Sequence, residues 1–104
     1  MVNVLLLFGN PVDQQTFNDY FERTHRPLLV GLPELETLRI NRVEGAITGE
    51  SPFYLIIELY FGNEESMRNS LNSEPGQTMA QDFSNFASGG VTVLLCESQD
   101  AALD

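Results

Sequence analysis

The 104-residue chain has no lysine and no tryptophan, and only a single histidine and a single cysteine. Each shortage closes off a class of function. Only five arginines stand against fifteen Asp and Glu residues, a formal net charge of −10. Such a surface repels phosphate backbones and anionic headgroups, which argues against nucleic-acid and membrane partners. An acidic shell that keeps the protein soluble accounts for it. Cys96 alone cannot form an internal disulfide, and within an apolar run it reads as packing in a reducing compartment. One histidine and one distant cysteine do not make a zinc site, and the carboxylates show no metal-ligand spacing. No glycine-rich phosphate loop is present either. The expectation is therefore no metal and no cofactor. No apolar run approaches the ~20 residues of a membrane span. The start, MVNVLLLFGN, lacks the basic region and cleavage site of a signal peptide and reads as a strand. A cytoplasmic location is expected.

What is present fits one globular domain. The hydrophobic fraction is 42%, which suits a packed core and not a disordered chain. Residues 1–99 read as a single domain and 100–104 as a frayed acidic tail. Val2 to Phe8 is an apolar strand closed by Gly9-Asn10-Pro11. Asp13 is placed as a helix N-cap, with Val12 and Phe17 set for a hydrophobic staple. Thr37 to Val43 alternates as a strand, and Phe53 to Phe61 (FYLIIELYF) is the strongest strand pattern in the chain. Asn63 caps a second helix, interrupted at Ser73-Glu74-Pro75-Gly76 and resumed with Met79, Phe83, Phe86 and Ala87 facing inward. Val91 to Glu97 is the last strand.

The stretch Thr16 to Leu29, TFNDYFERTHRPLL, holds the only histidine. Phe17, Phe21, Thr24 and Leu28 share one helical face. At about 100° per residue, His25 falls roughly 80° from Phe17, at the edge of that face, and roughly 140° from Tyr20. That spacing sends Tyr20 and His25 to different surroundings. Pro27 predicts a kink or an end close to Arg26.

The element order is β-α-β-β-α-β, which predicts an α+β ferredoxin-like fold: a four-stranded antiparallel sheet with both helices on one face. Two helices cover only one side of such a sheet. The alternate residues of the third strand, Tyr54, Ile56, Glu58 and Tyr60, should then face away from them. The first and last strands also carry apolar residues of both parities, Leu5, Leu7, Leu94 and Cys96 among them. Strands apolar on both faces need cover on both sides. A second copy of the chain packed sheet to sheet supplies it, so a homodimer is expected.

Phe17-x-x-Tyr20-Phe21-x-x-x-His25-x-Pro27-Leu28, after an N-terminal apolar strand, resembles the EthD-like family of small dimeric α/β-barrel proteins. The motif spans about a tenth of the chain, while element order and length agree over nearly all of it. One aromatic departs from the family pattern, since Tyr20-Phe21 stands where Tyr-Trp is common. The resemblance implies a barrel formed by two sheets. Similar folds include lactone isomerases, polyketide cyclases and cofactor-free monooxygenases, so the chemistry has to be read from the site.

His25 titrates near neutral pH and can carry a proton. It is the candidate catalytic residue, a general acid–base acting on a small apolar, aromatic or lactone-type compound without a cofactor. The plainer reading is a structural histidine near a helix C-terminus. The candidate ligand contacts are Tyr20, Phe21, Leu29, Ile57 and Phe83, around a pocket between helix and sheet. Glu58 is a carboxylate in an apolar strand, where a raised pKa would suit a base; a pairing with Arg39 or Arg42 across the sheet or the dimer is the expected reading. The competing reading is a non-catalytic ligand-binding or accessory protein that supports an oxidative degradation pathway.

Overall fold

A computed structural model describes residues 1–104. Strand β1 (Val2–Gly9) leads into helix α1 (Gln14–Tyr20), a π-helical turn (Phe21–His25) and helix α2 (Arg26–Val30). Strands β2 (Thr37–Arg42) and β3 (Phe53–Phe61) follow, then α3 (Glu64–Asn72), α4 (Glu74–Gln81), α5 (Phe83–Phe86) and β4 (Val91–Glu97). The sheet order is β2-β3-β1-β4 with every neighbouring pair antiparallel, the ferredoxin-like arrangement.

Period-two alternation decides which face of the sheet is covered. Val4, Leu6 and Phe8 of β1 and Leu55, Ile57, Leu59 and Phe61 of β3 are buried beneath the helices. They pack against Phe17, Phe21, Leu29, Met67, Met79 and Phe86. Each such side chain contributes about 1.5–3 kcal/mol of hydrophobic stabilisation. The helices begin where capping dictates: the Thr16 N–H donates to Asp13 at 2.9 Å and the Ser66 N–H to Asn63 at 2.8 Å. Ser73 ends α3 and caps α4 through the Gly76 N–H.

The structure departs from the sequence patterns at four points. The first helix does not stop at Pro27 but runs on to Val30. It does so by widening one turn, in which the Arg26 N–H bonds the Phe21 carbonyl five residues back. A proline ring collides with the carbonyl four residues before it in a regular helix. A wider turn just ahead of Pro27 relieves that collision. Second, Val12 makes no staple with Phe17, because it is 89% exposed. The helix entry is fixed instead by the Val12 N–H, which donates to the Ser88 hydroxyl at 3.0 Å.

Third, Tyr54 does not face away from the helices. Gly9 pairs with Phe53 but Phe8 with Leu55, so Tyr54 is the extra residue of a β-bulge. The bulge re-aims its side chain. The Tyr54 ring meets Phe17 edge-on, and its hydroxyl donates to Asn18 of α1 at 2.9 Å. Fourth, within the chain Glu58 stands opposite Arg39 in the strand register but forms no salt bridge with it or with Arg42. Its carboxylate accepts from the Tyr60 hydroxyl at 2.6 Å and from Asn41 at 2.9 Å. Arg39 lies over the Tyr60 ring, and Arg42 pairs with Glu22. The Tyr60 hydrogen bond first, and Asn41 second, hold the Glu58 carboxyl below its ordinary range. It is not a raised-pKa base.

The face away from the helices carries Leu5, Leu7, Ile56, Tyr60, Leu94 and Cys96, placed there by the strand register. Leu94 is 42% exposed. No helix of the chain is long and apolar enough to cross a membrane.

Candidate active site

The widened turn sets the geometry of the site. In a regular helix Tyr20 and His25 diverge; with a hydrogen bond closing over five residues, the helix comes round more slowly and returns them to one side. Both then point at the second helical layer. His25 is fully buried, and its Nδ1 lies 2.9 Å from Oδ2 of Asp82. The Tyr20 hydroxyl donates to Oδ1 of the same carboxylate at 2.5 Å, and the Asn85 amide donates there at 2.9 Å. Asp82 sits where α4 gives way to α5, so a break in the second helix delivers the carboxylate.

Electrostatics assigns the proton. Burial alone would raise the Asp82 pKa, but hydrogen bonds from Tyr20, Asn85 and His25 outweigh it and hold the carboxyl below its ordinary value. Asp82 is therefore an anion and can only accept. His25 is shifted down, because burial disfavours the imidazolium more than Asp82 favours it. A neutral imidazole facing a carboxylate carries its hydrogen on Nδ1 and leaves Nε2 as a bare acceptor. That Nε2 is buried and has no hydrogen-bond partner. The hydrogen bond to Asp82, aided by burial, pushes the Tyr20 hydroxyl up, so it stays protonated.

Aromatic rings enclose the imidazole. Phe86 lies 4.7 Å from it, centroid to centroid, Phe83 5.3 Å and Phe21 6.0 Å. Phe86 also stacks on Tyr20 at 5.1 Å. On that side a cleft of about 310 Å³ opens between α1 and α5, with Val12, Phe17, Tyr20, Asn85, Phe86 and Ala87 in its walls. Phe86 is thus the one ring that both lines the cleft and touches His25. Beyond the lining residue Ser88, β1 and the α5–β4 loop cross as bare backbone. A Cβ at Gly9 would strike the Gly89 carbonyl, and one at Gly89 would strike the backbone of Asn10. Only glycine allows so close an approach.

Of the residues singled out from sequence, Tyr20 lines this cleft and meets His25 on Asp82. Phe83 is half-buried beside the imidazole. Phe21, Leu29 and Ile57 are core residues on the helix–sheet boundary. His25 itself turns Nδ1 to Asp82 and packs on the Phe83 and Phe86 rings of α5, with Phe8 of the sheet edge-on at 6.1 Å. Asp82 and Asn85 escape the sequence reading, yet Asp82 has a visible signature. It lies three residues after Met79 and four before Phe86, a carboxylate on an otherwise apolar helical face. No three His, Cys, Asp or Glu side chains gather to hold a metal ion.

Fold and site together define a small ferredoxin-like α+β protein with a buried histidine–carboxylate pair behind an apolar cleft. The chain belongs to the EthD domain family, whose model matches residues 10–90. It is 31% identical to an ethyl tert-butyl ether D (EthD) family protein of Bacillus halodurans C-125, with a TM-score of 0.90 over 95% of this chain and 99% of that one. It is 27% identical to an uncharacterized 11.0 kDa protein of the thcB-thcC intergenic region of Rhodococcus erythropolis, across 95% of this chain and 96% of its relative. The fold extends to a dimeric ferredoxin-like protein of unknown function from Thermobifida fusca, at 11% identity and a TM-score of 0.68, covering 91% of this chain and 88% of the other.

Proposed function

We propose that the protein binds a small apolar, aromatic or lactone-type compound in the cleft between α1 and α5 and moves a proton on it. His25 is the acid–base group, and no resident cofactor takes part. The observation that carries this reading is the Tyr20–Asp82–His25 constellation, with an unpartnered Nε2 behind a cleft of about 310 Å³. Nature rarely leaves a buried polar atom unpaired. An imidazole fixed through Nδ1 by a carboxylate presents Nε2 as the proton acceptor, and the same carboxylate stabilises the imidazolium formed when that atom takes a proton. Tyr20 meets the compound from the wall. Phe86, shared by cleft and imidazole, is the side chain that must turn aside for the two to meet.

Two copies pack through the sheet face that carries Ile56, Glu58 and Tyr60. Its half-buried apolar residues and exposed Leu94 support this, since the chain has no further element to cover them. The related Thermobifida protein is itself dimeric.

A specific observation also favours a binding protein without turnover: His25 lines none of the larger cavities. Deuterium exchange separates the two readings. The protein is mixed in D2O with 2-tetralone, 2-naphthol or α-angelica lactone, and label uptake at carbon is followed by NMR. The acid–base reading expects the wild type to accelerate uptake in at least one compound and His25→Gln to lose the acceleration. Equal rates with the two proteins, or no acceleration at all, leave only the binding reading.

A further inference from the structure

The hydrogen bonds already made around Tyr20 set what the cleft can accept, an inference that rests on the binding reading above and sharpens it. A tyrosine hydroxyl has one proton to give and lone pairs with which to accept. Its proton is committed to Oδ1 of Asp82, the atom that also takes the Asn85 amide. An ionised carboxylate has no proton to return. Tyr20 lines the cleft, and toward a ligand that reaches its oxygen it can therefore only accept.

The surrounding walls narrow the choice further. Val12, Phe17, Phe86 and Ala87 make most of the surface apolar, and the one charged residue lining it is the acidic Asp13. No arginine reaches it, in a chain of net charge −10. An anion placed there would lose its water and find no counter-charge. Donors also stand in the lining, the Asn85 amide and the Ser88 hydroxyl among them, the latter with its oxygen accepting from Val12. They accommodate a carbonyl next to the ligand's main polar group.

We infer that the cleft takes neutral, largely apolar compounds that carry a hydroxyl, of the phenol or enol class, with the ligand O–H donating to the Tyr20 oxygen and carboxylate analogues excluded. A ligand presenting only an acceptor would leave two lone pairs facing each other at Tyr20. One presenting a hydroxyl gives the Tyr20 oxygen a donor. The enol class is also the one on which a nearby base has a proton to move.

The test uses the full chain, isotopically labelled, titrated with 2-naphthol, 2-methoxynaphthalene and 2-naphthoate while the amide signals of Val12 and Ala87 are followed. The methoxy compound keeps the oxygen and loses the proton; the naphthoate replaces the hydroxyl by an anion. The wild type is expected to bind 2-naphthol about tenfold more tightly than 2-methoxynaphthalene, the worth of one good hydrogen bond. Naphthoate should leave both amides unmoved. Tyr20→Phe should erase the gap between naphthol and its methyl ether while still binding both. Equal affinity of the two in the wild type, or naphthoate binding as tightly as naphthol, overturns the hydroxyl preference and leaves the cleft standing. No shift of Val12 or Ala87 with any of the three overturns the cleft as a binding site, and the preference with it.

Discussion

Tyr20 and His25, five residues apart on one helical segment, hydrogen-bond the two oxygens of a single carboxylate, Asp82. A regular helix would set them on different sides, and the widened turn between them makes the meeting possible. Most of what is distinctive about this chain follows from that turn and from the carboxylate it addresses.

The first consequence is a stability that depends on pH. The folded-state pKa of His25 lies below its unfolded value, so the unfolded chain binds more protons between the two. The stabilisation is complete above the ordinary histidine value and is lost as pH falls through it towards the folded value. Asp82, shifted down, acts in the same direction at lower pH: its contribution holds above the ordinary carboxylate value and disappears as pH falls through the folded one. The melting temperature should therefore drop between about pH 7.5 and about pH 5, where His25 is the only side chain of its type to titrate. His25→Gln should flatten that slope, whatever its effect on absolute stability.

Removing the carboxylate should cost more than removing either partner. Asp82→Ala strips His25 of its only hydrogen bond and leaves Tyr20 without its acceptor. Two orphaned groups in a largely buried place predict a loss of about 2–4 kcal/mol. Urea unfolding measures it, and a change below about 0.5 kcal/mol would show the cluster to be exposed to water.

The close crossing of β1 and the α5–β4 loop should resist any added side chain. Gly89→Ala drives a methyl group into the backbone of Gly9 and Asn10. Overpacking of this kind costs about 1–3 kcal/mol, and the Val12 and Ser88 amide signals should move most. Gly45→Ala is the control, since its Cβ would meet nothing.

The dimer is read from the outer sheet face and is tested there. Light scattering should return twice the 11.6 kDa chain mass for the wild type. Leu94→Arg places a charge on that face, opposite Leu5 in the register, and should return a monomer that still folds. A wild type that scatters as a monomer contradicts the packing.

Much of this was legible in the residues. The strand alternation of FYLIIELYF, the Asp13 and Asn63 caps, the interruption at Ser73-Glu74-Pro75-Gly76 and the element order lead to the observed fold, because each depends on neighbours close in sequence. Two features were hidden for related reasons. Helical arithmetic at a fixed angle per residue cannot see a widened turn, so it sends Tyr20 and His25 apart; Pro27 signals a kink or an end, and of these an irregular turn is what forms just ahead of it. Likewise, strict alternation in β3 cannot see a bulge, so Tyr54 was placed on the wrong face. Asp82 is different. Its partners lie 62 and 57 residues away, and only a carboxylate on an apolar helical face marked it. Gly9 meets Gly89 across the fold, a contact no local pattern reveals.

The proton on the imidazole is the point on which the site turns, and the single histidine makes it directly measurable. Long-range proton–nitrogen NMR of the labelled protein at neutral pH reads both ring nitrogens without ambiguity of assignment. The structure predicts a neutral ring with the hydrogen on Nδ1, donated to Asp82, and Nε2 at the shift of a bare acceptor. A protonated imidazolium, or a neutral ring carrying its hydrogen on Nε2, would contradict a free base at this site.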